Sequence, residues 1–101
     1  MDPRTRAIAD WVVARLGGDP RIRRIILFGS RARGDARERS DVDLAIEAPG
    51  ADPVAWDDIL AALDEAPTLL QLDVVRLEDA PEALRAAIER EGIELHHAVA
   101  A

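Results

Sequence analysis

The chain has 101 residues, no cysteine and a net charge of −7. That length suits one domain with a single modest core, the lack of thiols excludes a disulfide framework or a thiolate metal site, and the acidic balance weighs against a surface built for nucleic-acid phosphates. The longest apolar runs, such as Ile25 to Phe28, stop far short of the roughly 20 residues of a membrane helix, and no charged-then-apolar leader opens the chain, so a soluble, unprocessed, cytoplasmic protein is expected.

Asp2-Pro3 is a helix cap followed by a first-turn proline, and Ile8, Trp11, Val12 and Leu16 recur at helical spacing until Gly17-Gly18. A first helix is expected there. Arg23 to Phe28, isoleucine-rich and bounded by Pro20 and Gly29, reads as a buried strand, and residues 30 to 34 as one helical turn. From Asp41 to Glu47, apolar Val42, Leu44 and Ile46 alternate with acids, the two-residue period of a second strand. Asp52-Pro53 repeats the cap signal before a stripe of Trp56, Ile59, Leu60 and Leu63 that ends at Pro67. Leu69 to Leu77 reads as a third strand, and Leu84, Ala87 and Ile88 mark a last helix closed by Gly92. Ile93 and Leu95 beyond it point to an edge strand or an interface. The adjacent His96 and His97 read as exposed or partner-packed residues more readily than as metal ligands. Helices and strands alternate in this order, which implies an α/β fold: a small mixed β-sheet packed with helices over residues 1–101.

Charge is unevenly spread. Between Arg21 and Arg39 seven arginines face two acids, a net of +5, so the remainder of the chain carries −12. A local positive field in an acidic protein suits a small polyanion, while solvated surface arginines without a ligand explain the same pattern equally well.

The segment from Leu27 through Phe28, Gly29, Ser30, Arg31, Ala32 and Arg33 to Gly34, followed by Ser40, Asp41, Val42, Asp43 and Leu44, carries the chemistry. A strand that ends in Gly-Ser and breaks into a helical turn aims backbone N–H groups and a hydroxyl at phosphate-like oxygens, and Gly29, lacking a Cβ, allows close approach. Taken alone, a simple turn explains it as well. Asp41 and Asp43, one residue apart on a strand, leave the same face about 7 Å apart. They repel unless cations sit between them, and magnesium takes such oxygens; alone, they could equally be two solvent-facing acids. Asp73 sits between Leu72 and Val74, where an unpaired buried carboxylate is costly. Its partner is either a cation shared with Asp41 and Asp43 or a neighbouring arginine.

Together these residues resemble the minimal nucleotidyltransferases (MNT) of the DNA polymerase beta superfamily. That signature is a strand, Gly-Ser, about ten residues, Asp-x-Asp, and a third acid on a later strand; the run from Leu84 to Gly92 also looks like the last helix of the MNT branch. Family members often follow that helix with Leu-Tyr, where this chain has Leu95, His96 and His97. The resemblance implies a polymerase beta-like nucleotidyltransferase fold, with Gly29 and Ser30 on the β- and γ-phosphates of ATP. It further implies two magnesium ions held by Asp41, Asp43 and Asp73, and Asp73 activating the acceptor. Arg33 and Ser40 join the nucleotide-binding set, Arg33 reaching the triphosphate and Ser40 holding the turn before Asp41. The usual partner of the MNT branch is a HEPN-domain ribonuclease toxin, neutralised by transfer of AMP to a tyrosine, which makes this chain resemble an antitoxin. The alternative is an antitoxin that binds and masks its toxin without catalysis. Transfer to an antibiotic ranks last, for want of a second domain to hold a sugar.

Overall fold

The computed structural model describes residues 1–98; the last three residues of the expected 1–101 span lie outside the described residues. Helix α1 (Pro3–Leu16) starts where expected, because the Asp2 carboxylate accepts from the backbone N–H of Thr5 at 2.8 Å. Strand β1 (Arg24–Phe28) leads into the four-residue α2 (Ser30–Arg33). Strand β2 (Val42–Glu47) leads into α3 (Pro53–Leu63), which Asp52 caps through the N–H of Ala55 at 2.8 Å. Strand β3 (Leu72–Arg76), a single 3-10 turn (Leu77–Asp79), α4 (Glu82–Glu91) and β4 (Ile93–His97) complete the order.

The sheet is mixed, in the order β3-β2-β1-β4, with β1 antiparallel to both β2 and β4, and β2 parallel to β3. Alternation along the strands sorts the two faces. Ile25, Leu27, Val42, Leu44 and Ile46 join Ile8, Val12 and Leu16 of α1 and Ile59 and Leu63 of α3 in the main core. Each such side chain contributes roughly 1.5–3 kcal/mol by leaving water. On the other face Ile26 and Ala45 meet Leu77 and Ile88, with Phe28, Val75 and Leu84 packed alongside. A single helix, α4, covers that face.

Several expectations shift. The third strand is shorter than 69 to 77: Leu69 is fully exposed, at 102% of its reference area. The reason is local, since the hydroxyl of Thr68 accepts from the N–H of Leu70 and the N–H of Thr68 bonds back to the carbonyl of Ala66, a turn that delays pairing. Strands β1 and β2 each begin one residue later than expected. Trp11 and Trp56, from the two apolar helical stripes, lie partly buried against the core. Ile93 and Leu95 belong to an edge strand, the first of the two readings left open. Gly92 ends α4 in an extended conformation; its importance is steric, because a Cβ there would overlap Ile26 and the carbonyl of Ile88.

Candidate active site

Antiparallel pairing places Phe28 opposite Asp43 in register, so the turn after β1 comes out beside the first residues of β2. Gly29 adopts a φ of +74°, a region costly for any other residue. A Cβ at Gly29 would also overlap the carboxylate of Asp43. Both constraints demand glycine, and the second shows how closely the turn is pressed against the acid. The carbonyl of Gly29 accepts from the N–H groups of Ala32 and Arg33 at 3.1 and 3.0 Å, which coils residues 30 to 33 into α2. Gly34, at φ +86°, closes that turn by donating to the carbonyl of Ser30 at 3.0 Å. The N–H groups of Ser30 and Arg31, in the first turn, have no partner further back in the helix to bond with.

Parallel pairing places Asp73 directly beside Asp43. Neighbours in register share a face of the sheet, so both carboxylates leave the face that α4 only partly covers. Asp41 stands one residue before β2, two from Asp43. The three predicted acids are therefore drawn to one corner with Gly29 and Ser30. Burial first, then the charges of Asp73 and Asp41, push the Asp43 carboxyl above its ordinary value, while Arg33 acts against them. Asp73 is less enclosed than its apolar flanks suggest. All five residues of β3 are half-buried, since the strand lies at the sheet edge, and Asp73 accepts from the side-chain amide of Gln71 at 2.9 Å. Neither a buried cation nor an arginine is needed to explain it.

Arg33 and Ser40 are placed less centrally. Arg33 is exposed and lies 3.3 Å from Asp35 and 3.8 Å from Glu91, close enough to Asp43 to influence its charge. The hydroxyl of Ser40 accepts from the N–H of Arg37 at 2.8 Å and so holds the turn that leads into Asp41.

Sequence reasoning missed Arg31. It was counted among surface charges, yet it is 4% exposed. Its guanidinium donates to the carbonyls of Ser40 at 3.0 Å and Glu38 at 3.0 Å, and to the hydroxyl of Thr5 at 2.9 Å. Other arginines of the positive stretch also have acidic partners: Arg21 pairs with Asp19, and Arg24 with Glu47 and Glu89. The only hint in the sequence was that Arg31 follows Gly-Ser immediately, at a position whose helical turn must face inward.

The donor set suits a hard divalent cation, being carboxylate oxygens on adjacent strands that already repel one another. Among the described residues no three acidic or histidine side chains form a ready metal cluster. An ion here would rely on one or two of these carboxylates and complete its shell from phosphate and water, as magnesium commonly does. His97 is bonded to Glu94 at 2.6 Å, and His96 is half-buried with its Nε2 unpartnered among the described residues; both lie on β4, two strands away from Asp43. Among the described residues no helix is long and apolar enough to cross a membrane.

No curated protein matches the chain in sequence. Among solved structures, a candidate minimal nucleotidyltransferase is similar at 33% identity over 92% of this chain and 95% of its own length, with a TM-score of 0.62. A complex of a tri-AMPylated Shewanella oneidensis HEPN toxin with an MNT antitoxin matches at 24% identity over 93% of this chain and 73% of that one, TM-score 0.62. A toxin–antitoxin structure with AMP-PNP matches at 24% identity over 97% and 75%, TM-score 0.62. The last two likenesses show the fold alone. The family described as "Polymerase beta, Nucleotidyltransferase" matches residues 12–98, a span that holds the Gly-Ser turn and all three acids. The chain belongs to the polymerase beta nucleotidyltransferase family.

Proposed function

We propose that the chain is a magnesium-dependent nucleotidyltransferase that moves AMP from ATP to a hydroxyl of a partner protein, a tyrosine of a HEPN-type toxin, and so acts as its antitoxin. The observation that carries this reading is the contact between Gly29 and Asp43, which gives a phosphate-shaped turn and a pair of acids a common corner. The likeness to structures of a toxin–antitoxin with AMP-PNP and of an AMPylated HEPN toxin with its antitoxin supports the choice of nucleotide and partner.

The amides of the first turn of α2 and the Ser30 hydroxyl would hold the β- and γ-phosphate oxygens, and the α-phosphorus would then lie over Asp41 and Asp43. Asp73, beside Asp43 on the open edge strand, would orient the acceptor hydroxyl and take its proton. The acceptor oxygen attacks the α-phosphorus in line, the bond to the β-phosphate oxygen breaks, and pyrophosphate leaves. Magnesium, held by one or two of the carboxylates of Asp41, Asp43 and Asp73, would neutralise the phosphates and make the acceptor hydroxyl more acidic. Arg33, with one face to solvent, would meet the outer phosphates.

The small size of the domain favours a protein acceptor. Trp11 and Trp56 pack against the core and Phe28 against α4, so no described aromatic is free to build a deep base pocket. Incubation of the chain with its toxin partner, magnesium and ATP labelled at the α-phosphate should label the partner. Absence of label on a partner that binds the chain, with the nucleotide intact, would contradict the proposal.

A further inference from the structure

Asp41 reaches the site at the end of a charged loop, residues 35 to 40, with no regular structure of its own. Beside the turn that Ser40 makes with Arg37, a buried side chain of α2 holds that loop. Arg31 gathers three of the loop's carbonyls: Nε donates to the carbonyl of Ser40 at 3.0 Å, and one terminal nitrogen donates to the carbonyls of Glu38 at 3.0 Å and Arg37 at 3.4 Å. The other terminal nitrogen turns away, to the hydroxyl of Thr5 at 2.9 Å. Thr5 is fully buried. Its hydroxyl in turn lies 2.7 Å from Oδ2 of Asp2, whose Oδ1 caps α1.

The direction of these bonds is fixed. A guanidinium only donates and a carboxylate only accepts, so the Thr5 hydroxyl accepts from Arg31 and gives its proton to Asp2. The first turn of α1, the start of α2 and the loop before Asp41 are thereby tied in one sequence of oriented bonds, with a buried charge compensated at every donor direction it uses.

We propose that Asp2 and Thr5 are positioning residues that act through Arg31 to set where Asp41 stands. The catalytic meaning of the relay rests on Asp41 serving the nucleotidyl transfer proposed above; its physical existence does not. Thr5→Val preserves shape and removes the hydroxyl, leaving one nitrogen of Arg31 without a hydrogen-bond acceptor, its remaining partner being the Asp2 carboxylate at 3.8 Å, and so loosening the guanidinium on the loop. Asp2→Asn keeps the cap oxygen for the N–H of Thr5 but presents an NH₂ to the hydroxyl, which then receives two donors and has nowhere to place its own proton. Thr5→Ser keeps the relay.

The test uses the full chain. Amide hydrogen exchange across residues 36 to 41 and manganese binding read by electron paramagnetic resonance are compared for the wild type, Thr5→Val, Asp2→Asn and Thr5→Ser. Thr5→Val should speed exchange in that segment and weaken manganese binding by about 10-fold, the lower end for residues that orient a ligand at second hand. Asp2→Asn, at an exposed site that does not threaten folding, should shift both in the same direction by less. Thr5→Ser should restore both. In transfer assays Thr5→Val should raise the magnesium requirement while the KM for ATP at saturating metal stays put. Wild-type exchange and manganese binding in both Thr5→Val and Asp2→Asn would overturn the relay. Should the wild type transfer no nucleotide at all, the catalytic reading falls, and the exchange measurement alone still decides whether the relay exists.

Discussion

Two turns at opposite ends of β2 are held by arginines that bind backbone carbonyls, and they differ in what surrounds them. After β2, Arg76 donates to the carbonyls of Ala48 and Ala51 at 2.6 and 2.7 Å, stacks its guanidinium 5.8 Å from the Trp56 ring, and lies 3.6 Å from Glu78, which itself accepts from the N–H of Ala48. At that end the arginine has both carbonyl acceptors and an acid beside it, although its buried Nε makes no hydrogen bond among the described residues. Before β2, Arg31 does the same for the loop at residues 37 to 40, but the strand that follows carries Asp43, which has like-charged Asp73 and Asp41 near it and Arg33 acting against them. One end uses its charges to close a turn. The other leaves like charges together, the kind of electrostatic conflict that clusters at functional sites.

Substitutions at the two ends should therefore separate activity from stability. The largest effect is expected at the acids: Asp43→Asn should cut nucleotide transfer by about 10²- to 10³-fold, the several kcal/mol that charge neutralisation at phosphate supplies, with the fold intact by circular dichroism. Arg76→Ala should do the reverse. Losing two carbonyl partners and the packing on Trp56 should cost about 2–3 kcal/mol in denaturant melts, with turnover of the remaining folded protein unchanged. Equal loss of activity and stability in either variant would erase the contrast between the ends.

Gly29→Ala comes next. A Cβ there meets the Asp43 carboxylate at a backbone conformation that alanine resists, so stability should fall by roughly 1–2 kcal/mol and transfer should fall with it, because the turn must back away from the acid. Gly18→Ala, where a Cβ meets nothing within 4 Å, is the control and should leave both near wild type.

The smallest effect has an unusual sign. Because burial and its acidic neighbours raise the Asp43 carboxyl above its ordinary value, the native state favours the protonated form. Asp43 is then most favourable to folding in acid, and its contribution is lost as pH rises through the raised value. Without divalent cations, Asp43→Asn should melt higher than the wild type near pH 7, by less than about 1 kcal/mol given the partial solvation of the site. The gap should close toward about pH 4. A variant that melts lower at neutral pH would show that the acids are not in conflict.

Much of this layout was readable from residue order. Asp2-Pro3 and Asp52-Pro53 start helices by a local capping bond, and local bonds leave local signatures. Gly29, Ser30, Asp41 and Asp43 lie within one hairpin, so antiparallel pairing alone brings them together. Asp73 required the parallel neighbour β3, and its environment was misjudged because apolar flanks do not distinguish a central strand from an edge one. Leu69 was drawn into that strand by hydropathy, although the Thr68 turn excludes it. Arg31 was the main loss: composition counts every arginine as surface charge, and only the meeting of α1, α2 and the loop shows that this one is interior.

Everything proposed for this chain turns on whether the Gly29–Asp43 corner transfers a nucleotidyl group. The most direct measurement gives the chain, magnesium and its toxin partner ATP labelled at either the α- or the γ-phosphate, and follows both protein and small-molecule products. The account predicts α-label on the partner, γ-label released in pyrophosphate, and neither in Asp43→Asn. Label transferred from the γ-position, or transfer undiminished in Asp43→Asn, would contradict it.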